Sequence, residues 1–173
     1  MSTLRLAVAL ALASSAALAQ SPGLGTRISE ADTAAWDISI LPDGTGLPAG
    51  SGTVAQGAHI FAAKCAMCHG EGGKGSPAGN ALVGGAPLAS GIETTKTIAN
   101  FWGYPTTLFD FIRRAMPFQQ PRTLSDNEVY ALAAYLFAQN KIIGENEVMN
   151  AKTLPQVKMP NRDGFIIRFP DRI

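Results

Sequence analysis

The sequence predicts an all-α fold. Apolar residues recur at helical spacing in two long stretches, and each stretch follows a residue that is suited to cap a helix. Strand-like alternation of polar and apolar residues is almost absent, and no internal repeat is visible. The 173 residues are 46% hydrophobic and 16% charged, which suits one modest domain with extensions rather than a disordered chain.

The start of the chain has the composition of a secretory signal peptide. Residues 1–19 contain one cation, Arg5, then the apolar run Leu6–Leu12, and they end with the small-residue sequence Ala17-Leu18-Ala19. A membrane anchor is the alternative, but the apolar run is too short to span a bilayer. We therefore expect cleavage before Gln20, a location in the periplasm, and no membrane span in the mature protein.

Positive and negative side chains nearly balance. The chain has 14 Lys and Arg against 13 Asp and Glu, and removal of Arg5 with the signal peptide leaves 13 of each. Nucleic-acid binding relies on clustered positive charge that neutralises phosphates. The balance therefore argues against nucleic acid as a partner.

The first predicted helix follows Thr53, a suitable N-cap residue. Its apolar face is spaced at i, i+4, i+7, i+8 and i+11 and consists of Val54, Ala58, Phe61, Ala62 and Cys65. We expect this helix to end at Gly70. The loop that follows, GEGGKGSPAGNALVGG, is rich in glycine, which permits positive φ and close backbone approach, so we assign it little regular structure.

A second helix is predicted in the sequence LFDFIRRAM. Thr106 and Thr107 precede it and are expected to cap it, and Pro117 stops it, because proline cannot continue a helix.

The third predicted helix has the clearest start signal. Ser125 and Glu128 form a capping box, and Leu124 and Val129 stand where a hydrophobic staple would lie. Its apolar residues repeat at i, i+3, i+4, i+7 and i+8, namely Val129, Leu132, Ala133, Leu136 and Phe137. Lys141 and Gly144 are expected to mark its end.

The motif CAMCH holds both cysteines of the chain, Cys65 and Cys68, followed directly by His69. A disulfide is the usual state of two cysteines in an oxidising compartment, but it gives His69 no role. A zinc site needs about four ligands, and only His59 and acidic residues remain to complete one. A thioredoxin-like motif would be expected near a βαβ pattern, which the flanking sequence lacks.

Covalent haem attachment explains all three residues. C-x-x-C-H is the attachment signature of c-type cytochromes. Two residues between Cys65 and Cys68 space the sulfurs to form thioethers with two vinyl groups on one edge of a porphyrin. His69 then falls beneath the ring, where its imidazole can bind iron. The sequence therefore predicts one covalent haem c.

Iron bound by His69 needs a second axial ligand or has an open site. Met116 stands at a helix end stopped by proline and is the favoured ligand, although methionine more often fills a core. Met149 and Met159 are weaker candidates in a polar tail, and His59 lies on the wrong side of the site. A His/Met pair raises the reduction potential relative to two imidazoles and leaves no vacancy for substrate, so we expect electron transfer without catalysis.

Residues from about Gly52 to Asn140 resemble a class I cytochrome c domain. The similar features are Gly57-x-x-x-Phe61, CAMCH, Met116-Pro117 and Ala134-Tyr135-Leu136. The resemblance implies three to four helices around a covalent haem, with the first and last crossing closely because a glycine lets an aromatic such as Tyr135 approach. Many members have a proline whose carbonyl accepts a hydrogen bond from the ligand histidine.

This sequence departs from that family pattern after the motif. Asn80 stands near the expected proline, and Pro77 is displaced. The hydrogen-bond partner of His69 therefore stays open at this point.

A narrower resemblance covers nearly the whole mature chain. The stretches WDISILPDGTGLPAGSGTVAQG, TLFDFIRRAMPFQQPRTLSDNEVYALAAYL and NEVMNAKTLPQVKMPNRDGF are similar to haem subunits of molybdenum sulfite dehydrogenases and of the Sox sulfane dehydrogenase. The resemblance implies a subunit that accepts electrons from a molybdenum-containing dehydrogenase subunit and passes them to another cytochrome c. The alternatives are a free-standing electron shuttle, the haem subunit of a different periplasmic dehydrogenase, and an open-site haem enzyme.

The sequence also predicts two extended arms around a cytochrome domain at residues 51–140. The arms are residues 20–50 and 141–173, and their apolar content is high for disordered tails. We expect them to lie over their own domain or over a partner, with partner contact favoured.

Overall fold

The computed structural model describes residues 24–34, 36–88 and 94–166, and the predicted signal peptide lies outside these ranges. The chain forms two compact units, one ending at Ile38 and the other beginning at Ser39. In the described part of the first unit, a short helix α1 (Glu30–Ala34) starts after Ser29. The Ser29 hydroxyl accepts a hydrogen bond from the Asp32 amide at 3.2 Å, and the Asp32 carboxylate accepts one from the Ser29 amide at 3.0 Å.

The second unit is mostly helical, so the predicted all-α class is confirmed. In chain order its elements are β1 (Ser51–Thr53), α2 (Val54–Lys64), α3 (Ala66–His69), α4 (Pro105–Ala115), α5 (Asp126–Gln139) and β2 (Val148–Asn150). Two 3₁₀ turns lie at Glu71–Gly73 and Leu154–Gln156. β1 and β2 pair antiparallel, with Gly52 opposite Met149.

Helix α2 starts as predicted, with Thr53 as its N-cap. The Thr53 hydroxyl accepts from the Gln56 amide at 3.2 Å, and the Gln56 side chain accepts from the Thr53 amide at 2.9 Å. The buried side of the helix is formed by Val54, Gly57 and Phe61. The predicted inclusion of Ala62 in the buried face is wrong, because Ala62 is exposed.

Helix α4 begins earlier than predicted. Pro105 occupies its first position, where proline's fixed φ suits a helix and its missing N–H costs nothing. Tyr104 is the N-cap and makes no side-chain capping hydrogen bond. The predicted capping role of Thr106 and Thr107 is therefore wrong, since both lie inside the first turn. The helix ends at Ala115 with Met116 as C-cap, before Pro117 as predicted.

Helix α5 is the centre of the core. The predicted capping box is confirmed, because the Ser125 amide donates to the Glu128 carboxylate at 2.8 Å and the Ser125 hydroxyl accepts from the Glu128 amide at 3.3 Å. Burial extends over most of its circumference and takes in Val129, Tyr130, Ala131, Leu132, Ala133, Ala134, Leu136 and Phe137. Asn140 forms the C-cap and Lys141 adopts a φ of 58°, so Gly144 lies beyond the helix end.

Helices α2 and α5 cross closely at a glycine. A Cβ atom added to Gly57 would overlap the Ala131 carbonyl and would lie 2.6 Å from the Tyr135 Cβ. Farther along the crossing, the Phe61 and Tyr135 rings pack with centroids 5.2 Å apart. The predicted role of Gly57 in the approach of Tyr135 is confirmed, and the closest neighbour is the Ala131 backbone.

Segments on both sides of the helical region pack against the same core. Before β1, Ile40 and Leu47 contact it, and the buried Tyr130 donates its hydroxyl to the Pro48 carbonyl at 2.8 Å. After α5, the buried side chains are Met149, Leu154 and Met159. Among the described residues, no helix is both long enough and apolar enough to cross a bilayer.

Replacing Gly57 with alanine is expected to destabilise the fold. The gain of about 1 kcal/mol in helix propensity is outweighed by the overlap with the Ala131 backbone, which cannot move without displacing α5. We expect a net loss of about 2 kcal/mol or more in the free energy of unfolding, measured by urea denaturation. Gly144→Ala is the control, because its new Cβ has no neighbour nearer than 3.6 Å. Equal effects of the two substitutions would contradict the close crossing.

The Lys64–Glu128 ion pair predicts a pH-dependent contribution to stability. The Lys64 ammonium lies 2.6 Å from the Glu128 carboxylate, and this hydrogen bond, with that from the Ser125 amide, lowers the pKa of Glu128 from its ordinary value. Because the folded-state pKa is lowered, the contribution is present above the unfolded-state pKa and is lost as the pH falls through the folded-state pKa. Glu128→Gln should cost about 0.5–1 kcal/mol at neutral pH.

The cost of Glu128→Gln is measured by chemical denaturation at neutral pH and in acid. The difference in free energy of unfolding between the wild type and Glu128→Gln should decrease as the pH drops below the ordinary glutamate pKa. In a Lys64→Met background the same substitution should cost less at neutral pH. A stability difference that stays constant through the acid range would contradict the contribution assigned to the Lys64–Glu128 ion pair.

Candidate functional site

A single helical turn brings the three motif residues together. Helix α2 ends at Lys64, and Cys65 leaves helical geometry with φ −124° and ψ −35° before α3 begins. The Cys65 carbonyl accepts from the amides of Cys68 at 3.1 Å and His69 at 2.9 Å. Cys68 and His69 lie three and four positions after Cys65, the spacing at which residues of a helical turn are neighbours. Gly70, with φ 74°, ends the turn.

The His69 imidazole is oriented by a backbone carbonyl. Its Nδ1 lies 2.9 Å from the Asn80 carbonyl oxygen. Because a carbonyl only accepts, Nδ1 carries the proton, and Nε2 is left as the nitrogen with a lone pair for a metal. Asn80 therefore supplies the carbonyl that many class I cytochromes take from a proline, which settles the partner that the sequence left open.

The loop that carries Asn80 is attached to the motif at its near end. The Ser76 hydroxyl donates to the Cys68 carbonyl, and the Gly75 amide donates to the His69 carbonyl at 2.7 Å. Gly79 packs against the same place, because a Cβ atom there would lie 2.6 Å from the Cys68 carbonyl oxygen. The start of the loop therefore packs directly against the backbone of the CAMCH motif.

The far end of the loop is attached to the last helix. The Asn140 side chain accepts from the Gly84 amide at 3.0 Å and donates to the Leu82 carbonyl at 3.2 Å. The buried Thr97 hydroxyl also donates to the Gly84 carbonyl. The sequence analysis missed Ser76, Thr97 and Asn140, because their partners lie too far along the chain to form a local motif.

The two cysteines do not form a disulfide with each other, and both are half-buried. Burial raises the pKa of Cys65 to about 11, against a smaller opposing effect of the Lys64 cation. Removal of water penalises the thiolate relative to the neutral thiol. The site therefore favours an uncharged sulfur at Cys65.

The three methionines that the sequence offers as iron ligands fall into two groups. Met116 is partly buried at the end of α4 and packs against the same hydrophobic core as Cys65. Met149, in β2, and Met159 are 1% and 3% exposed and belong to the core itself, so the view of them as residues of a polar tail is wrong. His59 is exposed on α2. The structure therefore brings Cys65, Cys68 and His69 together on one turn, with Met116 on a separate element.

Within residues 24–34, 36–88 and 94–166, no three or more His, Cys, Asp and Glu side chains are arranged to hold a metal ion. A zinc site would take four ligands of this kind.

The chain belongs to the cytochrome c family. The family described as Cytochrome c matches residues 54–139, the segment that contains α2, the motif, α4 and α5. The predicted resemblance is confirmed. Membership in this family implies a covalently bound haem c, and two cysteines three positions apart followed by an imidazole with an available Nε2 fit that group.

The chain is also similar to a protein of sulfur metabolism over most of its length. A chain in the crystal structure of the sulfane dehydrogenase SoxCD from Paracoccus pantotrophus is 38% identical with a TM-score of 0.76, and the match covers 88% of this chain and 73% of that one. The thiosulfate dehydrogenase of Stutzerimonas stutzeri (strain A1501) is 33% identical over 93 residues. That second match covers 51% of this chain and 28% of the relative.

Proposed function

We propose that this protein is a mono-haem electron-transfer subunit of a periplasmic dehydrogenase that oxidises a sulfur compound. It takes electrons one at a time from a molybdenum-containing subunit and passes them to another cytochrome c. The haem, when bound, supplies a one-electron carrier whose reduction potential depends on its axial ligands and surroundings. The protein's own residues hold that group, orient it and shield it from water.

Cys65 and Cys68 are the residues that hold the haem covalently. Their i, i+3 spacing on the turn from Cys65 to His69 supports attachment of both sulfurs at one edge of a porphyrin. Both cysteines are partly buried, and an uncharged thioether would cost less to bury there than a thiolate.

His69 and Met116 are the proposed axial ligands. The Asn80 carbonyl fixes the proton of His69 on Nδ1 and so leaves Nε2 to bind iron. Met116 is partly buried at a helix end, whereas Met149 and Met159 fill the core around β2 and the last 3₁₀ turn. If His69 and Met116 both bind the iron, the haem would have no position open for a substrate and would supply electron transfer alone.

The observation that carries the dehydrogenase proposal is the extent of the match to the SoxCD chain. The match covers 88% of this chain, well beyond residues 54–139 that define the general family. A shared haem fold alone would account for the smaller segment. The similarity outside it supports a shared role, and it agrees with the resemblance to haem subunits of molybdenum sulfite and sulfane dehydrogenases.

Charge and surface suit a partner bound by apolar contact. The chain has 14 cations and 13 anions, so long-range steering would be weak and association would depend little on salt. In the C-terminal arm, Ile166 is 86% exposed, and Phe165 is still 53% exposed although its ring packs edge-on against Phe101 with centroids 5.8 Å apart. Apolar side chains of this size on an arm are suited to cover a partner subunit.

The ligand assignment predicts a spectroscopic change in Met116→Ala. Loss of the thioether should abolish the methionine–iron charge-transfer band and lower the reduction potential, since methionine ligation raises it. A denaturing mass spectrum should still show haem on the peptide that contains Cys65 and Cys68. Met159→Leu is the control, because it nearly conserves volume in the core and should keep the band. A band that survives in Met116→Ala but disappears in Met159→Leu would overturn the assignment.

The partner assignment is tested with the protein purified from its native source. It should co-purify with a molybdenum-containing subunit, and sulfite, a sulfane donor or thiosulfate should reduce its haem rapidly only when that subunit is present. The three donors distinguish the alternatives for the substrate. Isolation as a lone monomer, or rapid reduction only by a dehydrogenase for alcohols, would contradict the proposal.

A further inference from the structure

The side chain of Asn140 makes three hydrogen bonds at the end of α5. Its Oδ1 accepts from the Gly84 amide at 3.0 Å, and its Nδ2 donates to the carbonyls of Leu82 at 3.2 Å and Leu136 at 2.8 Å. One partner is a donor and two are acceptors, so the amide has one orientation that satisfies all of them. This side chain therefore joins the helix end to the loop at Leu82 and Gly84.

Capping of the helix accounts for one of these hydrogen bonds but does not account for the other two. The bond to Leu136 satisfies a carbonyl of the last turn, which is the ordinary task of a residue at this place. The bonds to Leu82 and Gly84 reach 58 and 56 positions back along the chain. They add nothing to the helix end, and their effect is to fix the loop.

The fixed segment is close to the carbonyl that orients His69. Only Ala81 separates Asn80 from Leu82, and it contributes only two soft backbone dihedrals. The Leu82 amide also donates to the Gly73 carbonyl at 2.8 Å, so both sides of its backbone are bound. Movement of Leu82 would therefore shift the Asn80 carbonyl relative to Nδ1 of His69.

A second anchor acts on the same segment from another direction. Thr97 is 3% exposed, and its hydroxyl donates to the Gly84 carbonyl, while its amide donates to the Asn100 side chain at 2.7 Å. Gly84 is thus bound through its amide by Asn140 and through its carbonyl by Thr97. The loop has a glycine-rich sequence with little conformational preference of its own. Its place is therefore set by these two side-chain anchors together with backbone hydrogen bonds, from Val83 to Gly73 at 3.1 Å and from Ile98 to Leu82 at 3.2 Å.

We propose that Asn140 is a positioning residue for His69, acting through the Leu82–Gly84 segment and the Asn80 carbonyl. The inference rests on the proposed function in that His69 binds the haem iron. A strong acceptor on Nδ1–H makes the imidazole a more basic ligand, which stabilises oxidised iron. Loosening that acceptor lowers the basicity and raises the reduction potential.

The test compares three variants of the haem-containing protein. Asn140→Ala removes all three side-chain hydrogen bonds, and Thr97→Val removes one hydroxyl with little change of shape. Asn161→Ala is the matched control, because its amide also donates to a backbone carbonyl, that of Phe101 at 2.8 Å, outside the loop. For each protein the reduction potential, the solvent exchange rate of the His69 Nδ1 proton and the free energy of unfolding are measured.

We expect Asn140→Ala to raise the reduction potential and to speed exchange of the Nδ1 proton several-fold. Thr97→Val should change the reduction potential and the exchange rate in the same direction but by a smaller amount. If Asn140→Ala does not fold, Thr97→Val alone tests the proposal. Asn161→Ala should lose stability without either change. Variants that lose stability while potential and exchange stay at the wild-type values would overturn the proposal. Wild-type protein that carries no haem on Cys65 and Cys68 would instead refute the proposed function.

Discussion

The close crossing of α2 and α5 is the constraint on which the rest of the structure depends. Gly57 lets the backbones meet at Ala131, and a Cβ atom at Gly52 would likewise lie within van der Waals overlap of the Ala131 backbone. Once the backbones are in contact, Phe61 packs on Tyr135 and Lys64 reaches Glu128. Because Cys65 follows Lys64 directly, the crossing determines where the motif lies relative to the core.

The loop after the motif is placed by side chains rather than by its own conformational preference. Glycines make it adaptable but give it no preferred path. Ser76 binds it to the Cys68 carbonyl, and Asn140 binds it to the end of α5. The loop is therefore held at one end by α3 and at the other by the end of α5, and Asn80 lies between these attachments.

Local rules predicted the parts of this fold that are local in sequence. The Thr53 and Ser125 caps, the CAMCH turn and the amphipathic spacing of α5 each depend on residues within a few positions of one another. The start of α4 was missed because Pro105 at the first position outweighed two plausible threonine caps. Likewise, Ala62 fits the apolar spacing of α2 but is exposed, because the side of α2 that contacts α5 is the one that carries Gly57 and Phe61.

The parts that could not be predicted depend on contacts between distant residues. Nothing near Asn140 indicates that its partners are Leu82 and Gly84, and the hydrogen bond of His69 to Asn80 depends on where the whole loop lies. The pairing of β1 with β2 involves three residues on each strand, which is too short to produce a readable alternation.

The hydrophobic core of the second unit includes side chains from the segment after α5. The family match ends at residue 139, yet Met149, Leu154 and Met159 are buried in the same core as α5. Removing three buried side chains of this size would cost several kcal/mol, at roughly 2–5 kcal/mol for each, which is comparable to the whole stability of a small domain. The C-terminal segment through Met159 is therefore structural, and Phe165 continues this packing with its ring 5.8 Å from that of Phe101.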